Sequence, residues 1–221
     1  MSLKSKTLTV IGLLVLTSDT MLAQGCTGSP SLRNNRAQLS VVTARADNQK
    51  AIGGAMQVAT SNTLFAIEAN SATTQGFDKG ILQVGFTTAL SKAFGPVHAC
   101  PFTSFSYSTP FEFQTIANQA ASLSTKALSF GASIGIPIAL ESDIDVIPNA
   151  KLSYGPTFQR MGIDGRQRLS WTQWDTYINA GIGLTLRDRF AIIPTVTLPI
   201  NSEDNATAYA VQIVFGLKGR R

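Results

Sequence analysis

Residues 127–138 read ALSFGASIGIPI, and the alternation in that stretch decides the fold. Leu128, Phe130, Ala132, Ile134, Ile136 and Ile138 fall on one side of an extended chain, and Ser129, Gly131, Ser133, Gly135 and Pro137 on the other. Successive side chains of a strand leave opposite faces, so a period of two means strand. Seven stretches between Ile81 and Leu217 repeat the pattern, most of them without a formal charge. A soluble sandwich buries its apolar face and shows charge to water. Here the non-apolar face is Gly, Ser, Thr, Ala and Asn. That combination predicts lipid outside and a narrow polar lumen inside.

The ends and the composition agree. Two lysines in residues 1–6, the apolar run TLTVIGLLVLT at 7–17 and Met21-Leu22-Ala23 form the order of a cleaved secretory signal, assigned to residues 1–23. The run is too short to span a bilayer as a helix, and no later segment reaches the roughly 20 apolar residues that would. Any insertion must be by strands. Charged residues are only 14% of the chain, against about a quarter in soluble proteins, and the net charge of +5 is scattered over segment ends. A nucleic-acid surface would need a clustered basic face with interleaved aromatics, so that class is excluded.

Residues 24–36 are short, polar and turn-rich, a flexible periplasmic lead-in to a barrel over residues 37–221. Ten strands are predicted, at 38–46, 51–60, 63–72, 81–91, 97–108, 127–138, 146–159, 175–186, 190–200 and 208–217. Most match the roughly 9–11 residues of a tilted crossing strand. Short connections (61–62, 92–96, 139–145, 187–189) mostly alternate with longer ones (73–80, 109–126, 160–174, 201–207). An all-β, up-and-down antiparallel barrel does this, with short periplasmic turns and longer outside loops. The even-strand rule favours ten strands, with eight the alternative if the first two segments lie outside the ring.

Period two then sorts the side chains. The lumen-facing candidates are Glu68, Gln83, His98, Asn149, Lys151, Asp175, Tyr177, Asn179 and Gln212. A lysine facing lipid at the midplane would cost about 2–4 kcal/mol, so Lys151 belongs inside. Glu68, Lys151, Asp175 and Arg187 form a candidate charged cluster, either a selectivity ring or an ion-pair network filling a narrow barrel. The second is favoured, because small barrels are filled by their own side chains. Trp171 and Trp174, flanking the loop 160–174, together with Tyr209 and Phe215, are read as interface aromatics. The loop 109–126, with Phe111, Phe113 and Ile116, is a candidate lid, partner patch or surface helix. Prolines 101, 148, 156 and 194 land on the outer face within strands, where each removes a ladder donor.

The leader, the dyad repeats and the last strand, Tyr209-Ala-Val-Gln-Ile-Val-Phe-Gly-Leu217, resemble the small outer-membrane β-barrel family of Gram-negative bacteria. The final strand is similar to the C-terminal signal that such barrels present to the assembly machinery, although Lys218-Gly-Arg-Arg221 follows it. The resemblance covers about residues 38–217 and implies an outer-membrane location. The implied partners are outer-membrane lipid and lipopolysaccharide, the barrel-assembly machinery during insertion, and small polar solutes.

No nucleophile–base–acid set is visible, and His98, the one histidine, reads as a polar lumen residue. Neither an enzyme nor a cofactor or metal site is predicted. The functional expectation is an integral barrel with a structural role, or one that passes or binds small solutes. The alternative is a secreted soluble barrel that binds an apolar ligand. Cys26 and Cys100 have three readings: a disulfide pinning the lead-in at the periplasmic mouth, a lipid anchor on Cys26 after Leu22-Ala23-Gln24-Gly25, or two unpaired thiols.

Overall fold

The computed structural model describes residues 25–28, 37–46, 49–59, 63–74, 81–114, 120–141, 143–163, 167–187, 189–201 and 207–217. The leader expected over residues 1–23 and the segment 29–36 lie outside them. Twelve strands follow one short 3-10 turn, Gly25–Thr27. They are β1 (Ala37–Ala46), β2 (Gln49–Ala59), β3 (Thr63–Thr74), β4 (Ile81–Leu90), β5 (Lys92–Phe94), β6 (Val97–Gln114), β7 (Ala120–Gly135), β8 (Ile138–Glu141), β9 (Ile144–Ile163), β10 (Gln167–Leu186), β11 (Phe190–Pro199) and β12 (Ala208–Leu217). Ten of them form a closed antiparallel ring, β1-β2-β3-β4-β6-β7-β9-β10-β11-β12, which β12 seals by pairing with β1 from Ala37↔Leu217 to Ala46↔Ala208. Closure leaves the ring no open edge.

Every ring strand carries large exposed apolar side chains on its outward face, among them Leu39, Met56, Ile67, Phe86, Phe105, Phe130, Leu152, Ile182, Ile192 and Val211. The ten residues of β1 span about 33 Å at ~3.3 Å each. Tilted by ~40°, they rise about 25 Å, the height of the apolar band on a membrane barrel.

The two long loops expected at 109–126 and 160–174 are not loops. β6 and β7 pair on to Gln114↔Ala120, and β9 and β10 pair on to Ile163↔Gln167. The connections shrink to residues 115–119 and 164–166. Strand length was expected from bilayer thickness, but a hydrogen-bonded ladder continues wherever two chains stay paired. Ile116 lies outside the described residues, and Phe111 and Phe113 belong to the ladder of β6.

The strand prolines are accommodated by broken rungs. Pairing skips the positions opposite Pro101 (between Ala89↔Phe102 and Lys92↔Ala99), Pro156 (between Ala127↔Thr157 and Phe130↔Tyr154) and Pro194 (between Gly181↔Thr195 and Leu184↔Ile192). The gap opposite Pro101 separates β5 from β4 without shifting the register. Pro137 and Pro148 likewise separate β8 from β7, where Ile136 N still donates to Pro148 O at 3.1 Å. A proline has no N–H to lose at an open rung.

Candidate functional site

The inward positions of the ring line a lumen whose filling is uneven along its length. At the end where the termini of β1 and β12 pair, Ile147, Ile193, Val214 and Thr185 are fully buried, and Ala191 packs with Ile193 and Val214. The turn Gly25–Thr27 enters beside them and touches β6, β7 and β9. Cys26 is 4% exposed and is disulfide-bonded to Cys100 on the inward face of β6. The two sit in one cluster with Ala89 and Phe102. Bonded in this way, the Cys26 sulfur is not available to carry a lipid.

Small residues make room for the turn. A Cβ on Gly183 would collide with the Gly28 carbonyl oxygen, and one on Gly28 would stand 2.6 Å from Asn149 Nδ2 and 3.1 Å from Ile193 Cγ2. Gly28 takes φ +74°, a backbone conformation that side chains disfavour. The inward glycine of β10 therefore serves a close backbone approach.

Beyond the turn lies a chamber of about 380 Å³, bordered by Cys26, Gln57, Glu68, Phe102, Lys151, Asn179 and Gln212. The Lys151 ammonium lies 4.2 Å from the centre of the Phe102 ring, a cation–π geometry. Glu68 extends over Gly85, where a Cβ would strike its carboxylate, and borders the same chamber as Lys151. Gln212 Nε2 donates to Ser40 Oγ at 2.9 Å, and Asn179 Nδ2 donates to Thr197 Oγ1 at 2.8 Å. A second chamber of about 260 Å³ opens towards the far end. It is lined by Gln83, Tyr177, Asp175 and a set of Ser and Thr hydroxyls.

No protein-family model and no characterised protein matches the chain by sequence. Solved structures do match it. The translocator domain of the autotransporter NalP from Neisseria meningitidis superposes with a TM-score of 0.55 at 14% identity, over 83% of this chain and 87% of that one. The N-terminal β-barrel domain of Pseudomonas aeruginosa OprF (0.37, 10%, 83% and 98%) and the Escherichia coli outer-membrane protease OmpT (0.41, 6%, 83% and 94%) also match. The fold is that of outer-membrane β-barrels. At these identities the likeness extends to the fold alone.

Within that barrel, Glu68, Lys151, Asn179 and Gln212 share the first chamber with Asn149, whereas Gln83, Asp175 and Tyr177 line the second. His98 lies on the face of β6 that carries Cys100, opposite Gly135. The single charged cluster is not formed. Asp175 is four residues along β10 from Asn179, the partner of Lys151, about 13 Å at ~3.3 Å per residue. Arg187 is outside the lumen altogether. It sits in the turn after β10 at φ 50°, and its Nε lies 3.6 Å from Asp143 Oδ2, with both side chains exposed.

The aromatic assignments also divide. Trp174 stands outward, stacked on Tyr154 at 5.1 Å, and Tyr209 and Phe215 are exposed outward on β12. Trp171 is three residues from Trp174 in an unbroken ladder, so it takes the opposite face. Treating 160–174 as a loop hid that parity. Phe102 was missed for another reason. Its position puts it inward with His98 and Cys100, but an aromatic is expected towards lipid.

Proposed function

We propose that this protein is an integral outer-membrane β-barrel of a Gram-negative bacterium, exported through a cleaved leader. Its role is non-enzymatic: structural, or the passage or binding of small polar solutes in the lumen. The observation that carries this reading is the continuous apolar exterior on all ten ring strands. Soluble monomers rarely expose contiguous apolar patches beyond a few hundred Å². A soluble carrier of apolar ligands would reverse the two faces, with charge outside and hydrocarbon-lined space inside. Here the inner space mixes Gln57, Glu68, Lys151, Asn179 and Gln212 with Leu64, Phe102 and Ile193, so it is the hydrocarbon-like exterior that separates the two readings. The latched turn narrows the lumen at the termini end, which favours slow or regulated exchange over a wide-open pore.

Cell fractionation with a heat-modifiability gel tests the location. The folded protein is expected in the outer membrane and migrates differently before and after boiling. Recovery in the soluble periplasm or medium would sink the proposal. Planar-bilayer conductance, before and after reduction, then separates passage from a structural role.

A further inference from the structure

Two inward carboxylates, Glu68 and Asp175, are held in different ways. Glu68 shares its chamber with the Lys151 ammonium. Asp175 is 6% exposed, its Oδ2 accepts one hydrogen bond from Thr157 Oγ1 at 2.8 Å, and its Oδ1 is buried and accepts none. The chamber it borders is lined further by Ser106, Ser129, Ser153, Tyr177 and Gln83, and no cationic side chain among the described residues lines it. A buried carboxylate keeps its charge at such a place only where that charge is compensated. An orphan acceptor in a roomy polar cavity points to a missing donor or ion. Oxygen-only surroundings with a single negative charge suit a hard, singly charged cation. A divalent ion would ordinarily draw more than one carboxylate.

We infer that the Asp175 chamber, at the end of the lumen away from the termini, is a binding site for a monovalent cation: an alkali ion or the ammonium group of a small solute. The carboxylate supplies the charge, and the Ser and Thr hydroxyls and Tyr177 supply neutral oxygens around it. The inference deepens the small-solute reading of the lumen by naming the charge and size of the occupant. Its test does not depend on membrane location or conductance.

Crystals of the folded barrel, grown without alkali salts, are soaked in about 100 mM rubidium chloride, near physiological ionic strength, and examined for rubidium anomalous scattering. A peak within bonding distance of the Asp175 carboxylate is expected. Co-soaking with methylammonium chloride distinguishes the sources: loss of the peak shows that ammonium groups are accepted, and retention restricts the site to alkali ions. Asp175→Asn should abolish the peak while keeping the heat-modifiable gel shift. Ser153→Val, which replaces one neutral oxygen by methyl groups and leaves the carboxylate in place, should weaken it. Water alone in the soaked parent chamber, or a peak that survives Asp175→Asn, would overturn the inference.

Discussion

Placing an arginine at Ile182 asks whether hydrocarbon or water touches the barrel wall. Ile182 is 55% exposed, points outward, and lies on β10 between Tyr177, which pairs with Pro199, and Leu186, which pairs with Phe190. Those two pairs lie near the ends of β11, so Ile182 is close to mid-height of the apolar band. An arginine facing lipid at the midplane costs about 2–4 kcal/mol, against about 0–1 near the interface. Ile182→Arg should therefore weaken the folding equilibrium in phospholipid vesicles by roughly thirty- to several-hundred-fold. Leu217→Arg, at the rim beside Ala37, should change it by less than about tenfold. Urea titration followed by fluorescence of Trp171 and Trp174, the two tryptophans of the chain, measures both variants. In water the Ile182 substitution would be nearly neutral, since exposed changes usually stay within about 0.5 kcal/mol. Equal and small effects at the two positions would refute the membrane reading.

The remaining predictions concern the lumen. Intact purified protein should take up no thiol label until it is unfolded and reduced, and label uptake under native, non-reducing conditions would disprove the Cys26–Cys100 latch. The Cys26→Ser, Cys100→Ser double variant opens a loop closed across 74 residues. Loop-closure entropy puts the loss of unfolding free energy at up to about 4.5 kcal/mol, readable in the same urea titration. Gly183→Ala places a methyl group against the Gly28 carbonyl. It should expel the turn while leaving the heat-modifiable barrel intact, so that proteolysis of the amino-terminal segment accelerates; unchanged protection would contradict the close approach. A double-mutant cycle with Glu68→Gln and Lys151→Met should return a coupling energy of about 1 kcal/mol. Additive effects would mean that the pair does not interact.

How far the residues alone carried the fold can be judged from particular strands. The alternation in 127–138 and its repeats was enough for strand identity, for which face meets lipid, and for ten strands in an even ring, because period two and the bilayer act locally. The inward positions of Glu68, Lys151, Asn179 and Gln212 follow from the same parity. The limits of β6, β7, β9 and β10 did not follow. Their outer parts read as loops, and only pairing with a neighbour shows that they are strand. The face that Trp171 takes did not follow for the same reason.

The sequence by itself determined the barrel and its apolar exterior, since each rests on a side chain's parity and its preference for lipid or water. Only the tertiary structure decided which inward residues meet. Ring closure and register bring Cys26 to Cys100, set Lys151 over Phe102 with Glu68 near, leave Asp175 apart in its own chamber, and send Arg187 out to a turn. Those neighbours lie tens of residues apart in the chain, and strand stagger, to which local patterning is blind, sets the level at which each one enters the lumen.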